Sequence, residues 1–440
     1  MANFFKVTPK KQQVGHEVNV NITRLDFNGC GVGQYLKKPI FIEGTLVGES
    51  VSVKVIEQKN KYSKGKLIEV LTPSDNRAIA KCQHFLNCGG CDLQHIEPVI
   101  QLDFKQQKIT ELFARNGYDD SLPWQEPVVS KPWHYRRKAR IGVQYDKAGQ
   151  VTVGFRQRGS NQLINIKNCV VLVEPLNKIF VPLKKLLAKL SGKNAIGHIE
   201  VISTDKITVV VRQLENITNQ DKQNWQAFSD NYSCEILMDN GKTVTPLFDN
   251  KLTSLTYNLD DNININFSSD NFIQVNHDVN KQMIAQALSW LNLTKQDFVL
   301  DLFCGLGNFS LPIAKKVAQV TGIEGVDQMV IKAQENAQIN GLTNCEFYQA
   351  DLNSNWQSES WSKKIYTKLL LDPARAGAYQ ALEQLVRFNI PTVLYVSCDP
   401  ATLAKDSELL LANGYRIEKI SLMDMFSQTK HIETMVLFVK

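Results

Sequence analysis

The sequence predicts a multidomain α+β protein with an N-terminal β-barrel, a central α/β region around a cysteine cluster, and a C-terminal Rossmann-like, doubly wound domain. Three observations carry this. Residues 13–72 alternate apolar and polar side chains in short runs broken by glycines; Cys82, Cys88 and Cys91 crowd one segment; from His277 onward helical stretches alternate with buried apolar runs, the mark of a parallel sheet covered on both faces. A length of 440 residues also suits about three domains.

Hydrophobic residues make up 43% of the chain and charged residues 21%, which excludes disordered, collagen-like and disulfide-scaffold classes. No run approaches ~18 apolar residues, and Met1-Ala2-Asn3-Phe4-Phe5-Lys6 lacks the apolar core of a signal peptide. A cytosolic protein with no membrane partner is expected, monomeric for want of any motif that calls for a protein partner. In that compartment nine cysteines serve as thiols, metal ligands or nucleophiles sooner than as disulfides. The net charge of +6 is uneven: residues 1–81 hold 13 Lys/Arg against 7 Asp/Glu, so the whole excess sits there.

Taken in order, Glu17-Val18-Asn19-Val20-Asn21-Ile22 and Ser50-Val51-Ser52-Val53-Lys54-Val55 read as strands of a small antiparallel barrel, ended by Pro73-Ser74-Asp75-Asn76. The run Lys59-Asn60-Lys61-Tyr62-Ser63-Lys64-Gly65-Lys66 is either a solvated hairpin tip or an RNA-contacting loop, the second being favoured on such a barrel. Residues 99–116 form an amphipathic helix closed by Gly117. Residues 131–158 then carry 8 Lys/Arg and one acid, Asp146, with Trp133, Tyr135 and Phe155 interleaved. That strand pair reads as RNA-facing, with an exposed sheet face as the alternative. From 160 to 266 no chemical motif stands out. Beyond it come helix 278–291 and strands at 298–303, 320–323, 345–349, 368–371 and 392–397, then an antiparallel pair near 416–422 and 434–439.

The chemistry gathers at the strand ends. Asp301-Leu302-Phe303-Cys304-Gly305-Leu306-Gly307-Asn308-Phe309-Ser310 follows a buried strand and opens a helix, where ligands of doubly wound sheets bind. It lacks the third glycine of a dinucleotide fingerprint and the Gly-Lys-Ser/Thr of a phosphate loop. An acid ending the first strand suits S-adenosylmethionine (SAM) better than a pyrophosphate. Glu324 ends the next strand, where it can accept from ribose hydroxyls, and Asp351 ends the third, beside an adenine edge. Ser397-Cys398-Asp399-Pro400 sets a thiol at the same edge. A buried structural cysteine is the ordinary reading of such a residue, but Asp372-Pro373-Ala374-Arg375 and Glu433 reach the same edge, giving a nucleophile with a base. Cys82-x5-Cys88-x2-Cys91 needs a fourth ligand, and Cys169 is the next thiol along the chain; the spacing admits zinc or an iron–sulfur cluster.

The blocks 301–310, 372–375 and 397–400, with His431-Ile432-Glu433-Thr434-Met435-Val436 and Asn271-Phe272-Ile273-Gln274-Val275-Asn276, resemble the RNA uracil-C5 methyltransferases. The resemblance implies a class I SAM-dependent methyltransferase domain over 271–440 with Gln274, Phe303, Asn308, Glu324, Asp351 and Asp372 around SAM, Cys398 adding to C6 of uracil, and Glu433 removing the C5 proton. It implies a TRAM-like (OB-like) RNA-binding barrel over 10–75. It further implies a [4Fe–4S] cluster on Cys82, Cys88, Cys91 and Cys169 within an RNA-contacting domain over 76–270. Cys30, Cys234, Cys304 and Cys345 remain as ordinary buried thiols. Barrel plus cluster is similar to the members that make 5-methyluridine in 23S ribosomal RNA, the tRNA-modifying relative lacking both; a tRNA or another 23S uridine is the alternative substrate. Asp399 departs from the asparagine frequent in the family and is given no catalytic role. An iron–sulfur oxidoreductase would need a second redox motif, which is absent, and a non-catalytic RNA-binding protein would need neither Cys398 nor Glu433.

Overall fold

The computed structural model describes residues 14–118, 120–248 and 254–440; residues 10–13 of the expected barrel lie outside them. The described residues form two compact units, one running through Gln101 with Gln428–Lys430, the other made of Leu102–Ser427 and His431–Lys440.

The first unit contains β1 (Glu17–Asn21), β2 (Arg24–Leu25), β3 (Gly31–Tyr35), β4 (Lys38–Ile42), β5 (Ser50–Gln58) and β6 (Ser63–Thr72), in one sheet of order β1-β5-β6-β4-β3-β2. Period-two alternation buries Val51, Val53 and Val55 with Ile40 and Ile42 on a common face. The expected pattern was wholly antiparallel, but β4 and β6 pair in parallel, because β5 lies between them in sequence and returns the chain. Glu49, fully buried, accepts from Arg77 Nε at 2.5 Å and Nη2 at 2.7 Å, a bidentate pair that ties the turn after β6 to the sheet. At the Lys59–Lys66 hairpin, Lys59 and Lys64 stand 3.2 and 2.9 Å from the Glu57 carboxylate.

In the second unit, β7 (Lys138–Tyr145), β8 (Val151–Arg156), β9 (Leu163–Asn165), β10 (Ile196–Ser203), β11 (Ile207–Gln213), β12 (Cys234–Asp239) and β13 (Val244–Pro246) form a mixed sheet of order β13-β12-β11-β10-β7-β8-β9. A helix α1 (Pro98–Arg115) precedes them, and Gly117 at φ +81° follows its end. Among these strands lie α2 (Glu174–Lys189) and α3 (Asn219–Tyr232), and Phe180 of α2 meets Phe155 of β8 edge to face. A ribbon of β14 (Leu255–Leu259) and β15 (Ile263–Phe267) follows.

The last part of the unit alternates as expected: α4 (His277–Leu291), β16 (Phe298–Leu302), α5 (Ser310–Ala314), β17 (Gln319–Glu324), α6 (Asp327–Ile339), β18 (Cys345–Gln349), β19 (Lys368–Leu371), α7 (Tyr379–Leu385), β20 (Thr392–Ser397), α8 (Pro400–Ala412), β21 (Arg416–Met423) and β22 (Glu433–Val439). The sheet order is β18-β17-β16-β19-β20-β22-β21. β16 to β20 run parallel, and β22 inserts antiparallel between β20 and β21. Its register pairs Ser397 with Thr434; carried one residue further, it sets Cys398 opposite Glu433. No helix among the described residues is long and apolar enough to cross a membrane.

Gly33 marks a tight crossing in the first sheet, where an added Cβ would stand 2.2 Å from Val20 Cγ1 and 2.5 Å from the Asn21 carbonyl oxygen. Gly33→Ala should therefore destabilise this unit by about 1–3 kcal/mol, the cost of overpacking, read as a lower melting temperature. An unchanged melting temperature would mean that the end of β1 moves aside freely.

Candidate active site

The loop after β16 turns sharply to open toward a ligand. Phe303 sits at φ +63°, Gly305 at +55° and Gly307 at +89°; the first is a strained conformation for a bulky side chain, of the kind that clusters at functional sites. On β17, an added Cβ at Gly322 would stand 2.9 Å from Cys304 Sγ and 2.5 Å from the Phe347 ring, so glycine there lets the loop lie close. Glu324 ties the loop to its own strand end, accepting from Gly305 N and Val326 N at 3.1 Å each. Asn308 exchanges amide hydrogen bonds with Asn280 at 2.9 and 3.1 Å and accepts from the Tyr257 hydroxyl at 3.2 Å.

These elements enclose a cavity of about 480 Å³ in the second unit. Gln274, Phe303, Asn308, Glu324, Asp372, Cys398 and Glu433 all line it, so the structure gathers seven of the eight residues expected around SAM and the reacting base. Asp351 does not line it. That residue is exposed beyond the end of β18, an edge strand, with its carboxylate accepting from Asn353 N at 3.0 Å. Pattern reading missed Tyr257, Met329, Phe426 and His431 on the wall; only His431 stood inside a block already singled out.

Electrostatically the cavity is crowded with acids. Burial raises Glu433 well above the carboxylate range, with Asp372 adding to it. Asp372 lines the cavity only partly exposed, and burial raises it too, so the pair retains protons that exposed acids would shed. Burial pushes the Cys398 thiol up to about 11, with Glu433 and Asp372 adding and Arg375 opposing. Beneath the loop, Asp301 is 1% exposed and is raised to about 7 chiefly by burial. Its Oδ2 accepts from the Ser310 hydroxyl, while Oδ1 is buried without a hydrogen bond. An ammonium group, such as the amino-acid end of SAM carries, is a donor of the kind this oxygen lacks.

Two further groups hold the chemistry in place. Asp399 caps α8, its carboxylate accepting from Ala401 N at 2.9 Å and Thr402 N at 3.3 Å, a task that asparagine performs equally well. Asp406 of α8 accepts from Ala378 N at 2.7 Å and the Tyr395 hydroxyl at 2.6 Å, tying the loop after Asp372 to the strand that ends beside Cys398.

Of the basic residues in 131–158, Arg137 and Lys138 turn inward instead of toward solvent, and Arg140 pairs with Glu200 at 2.6 Å. Cys82, Cys88 and Cys91 lie in a turn-rich segment of the first unit, half-buried and not disulfide-bonded; Cys169 lies in the second unit. Gly90 N–H donates to Cys88 Sγ at 3.4 Å, a bond that stabilises a ligating thiolate, and an all-thiol donor set suits iron–sulfur or zinc. Among the described residues no group of three or more His, Cys, Asp or Glu side chains is gathered as a metal site. Cys234 and Cys304 are buried as expected, whereas Cys30 and Cys345 are half-buried.

Comparison with known proteins agrees with this geometry. Residues 98–440 match the family model for tRNA (uracil-5-)-methyltransferases and residues 11–68 match the TRAM domain. The chain is 53% identical to a 23S rRNA (uracil(1939)-C(5))-methyltransferase RlmD of Colwellia psychrerythraea, covering 100% of this chain and 99% of that protein. The likeness to proteins of the same description is 42% in Shewanella sediminis (100% of this chain, 99% of that one) and 41% in Aliivibrio fischeri (100% of each). Among solved structures, a Pyrococcus abyssi tRNA (uracil-54, C5)-methyltransferase in complex with S-adenosyl-L-homocysteine shares the fold. Its TM-score is 0.74 at 21% identity, over 96% of this chain and 100% of that one.

The raised thiol gives a direct check. Alkylation of Cys398 by iodoacetamide, followed by peptide mass spectrometry, should keep accelerating with pH past the ordinary thiol range toward about 11, because only the thiolate reacts. Glu433→Gln removes the second cause of the shift and should move that profile to lower pH; an unmoved profile would separate Glu433 from the thiol.

Proposed function

The chain belongs to the tRNA (uracil-5-)-methyltransferase family, and from that premise we propose that it methylates C5 of a uridine in 23S ribosomal RNA, in the cytoplasm, forming 5-methyluridine. The observation that carries the chemistry is the meeting of Cys398, Glu433 and Asp372 on the wall of one cavity with Gln274, Phe303, Asn308 and Glu324. The ribosomal substrate is supported by end-to-end likeness to proteins so described at 53% and 42% identity.

Uracil C5 is too weak a nucleophile to attack a methylsulfonium unaided. Cys398, as thiolate, adds to C6 and so raises electron density at C5. SAM, held by Gln274, Phe303, Asn308, Glu324 and Asp372 when bound, would supply the electrophilic methyl group that C5 takes, the S–CH3 bond breaking to leave S-adenosylhomocysteine. Glu433 then removes the C5 proton as general base, and Cys398 leaves by elimination. Burial suits Glu433 to that task, since a carboxylate with a raised pKa is the stronger base. The target base must reach a half-buried thiol, so it is single-stranded or flipped out of its stack. Asp351, outside the cavity wall, would reach an adenine edge only as a secondary contact.

The TRAM barrel and the outward-facing basic residues of 131–158 supply RNA affinity. The [4Fe–4S] cluster stays as what the resemblance implies, its first three ligands being Cys82, Cys88 and Cys91, although no metal-holding group is gathered among the described residues. Methyl transfer needs no electron, so the cluster would serve architecture.

Cys398→Ala should abolish methylation of a 23S fragment while SAM binding by calorimetry persists; methylation at the normal rate would remove Cys398 from the reaction. Glu433→Gln should trap a covalent RNA–protein adduct, seen as a shifted band on a denaturing gel, and its absence would count against Glu433 as the base.

A further inference from the structure

Arg137 is 4% exposed, and among the described residues no carboxylate pairs with its guanidinium; burial depresses its pKa and only Tyr257 counteracts that. A buried cation without an anion is costly and calls for a compensating role. Its Nη2 is buried without a hydrogen bond, so the residue is not there to satisfy its own donors.

What Arg137 does touch is the frame of the cofactor cavity. Its Nε donates to the Gln274 carbonyl at 2.9 Å, and its backbone N–H to the Val275 carbonyl at 3.0 Å. Its Nη1 lies 3.1 Å from His277 Nδ1, and burial, with Arg137 adding, holds that imidazole neutral and able to accept, its pKa down to about 4. The guanidinium lies 4.4 Å from the centroid of the Tyr257 ring, and the Tyr257 hydroxyl donates to Asn308 at 3.2 Å. Next to it, Lys138 Nζ donates to the carbonyls of Ser269 at 2.7 Å and Asn271 at 2.9 Å, bracing the lead into the same segment.

We propose that Arg137 is a positioning residue for SAM binding, fixing Gln274 through its carbonyl and Asn308 through Tyr257. This rests on the methyltransferase reading above. Only arginine suits the place: a planar fork bridges the carbonyl and the imidazole while its face stacks on the ring, whereas lysine supplies a point charge. Part of a basic segment that looks RNA-facing therefore builds the cofactor pocket instead.

Full-length Arg137→Met and Arg137→Lys test this through SAM kinetics at saturating RNA, SAM affinity by calorimetry without RNA, and RNA affinity. The expected result for Arg137→Met is a KM for SAM raised roughly tenfold or more, the scale of one lost charged hydrogen bond. kcat at saturating SAM should stay within about twofold, as for a loss of uniform binding, with RNA affinity unchanged; Arg137→Lys should not restore the KM. Should Arg137→Met fail to fold, Tyr257→Phe decides: it keeps the stack, removes only the bond to Asn308, and should raise the KM roughly threefold. Unchanged SAM affinity in the folded variants overturns the proposal, as does a loss of RNA affinity with SAM affinity retained. If the wild-type protein binds no SAM, the methyltransferase reading fails and takes the proposal with it.

Discussion

The insertion of β22 antiparallel between β20 and β21 is the constraint on which the site depends. In a sheet of parallel strands every strand begins at the edge away from the ligand, and a residue opening the last strand would lie far from the thiol that ends β20. Reversing one strand brings its first residue, Glu433, to the carboxyl edge. The two groups then share a half-buried wall with Asp372, where three acidic functions cannot all ionise at once. Burial and the two neighbouring carboxylates favour the thiol form of Cys398, and burial favours the protonated forms of Asp372 and Glu433.

Much of this was legible in the sequence, for identifiable reasons. The strands of the doubly wound region were readable because burial on both faces leaves continuous apolar runs, and Gly305, Gly307, Cys398 and Glu433 were readable because they stand at the ends of those runs. Period and burial report which face a residue takes, but not which strand lies next to it. The place of β22, the parallel pairing of β4 with β6 and the exposure of Asp351 at the end of an edge strand all depend on neighbours. Arg137 and Lys138 were misread for a related reason. A run of cations looks like a solvated surface until the tertiary fold shows that carbonyls of residues 269–274 receive their protons.

Under the function proposed above, residues on the cavity wall would hold the methyl donor and move protons, tasks that any uracil-C5 methyl transfer requires whatever its RNA.

The position of β22 also orders the folding of the chain. Its pairing with β21 joins Met423 to Glu433, close in sequence, while its pairing with β20 joins Ser397 to Thr434 across a longer loop. Closing the shorter loop costs less entropy, so the β21–β22 hairpin can form by itself and dock afterwards as one piece. Thiol and carboxylate meet only in that docking step. A molecule halted before it can have its glycine loop in place while Glu433 is still away from Cys398, so only the docked hairpin completes the cavity wall.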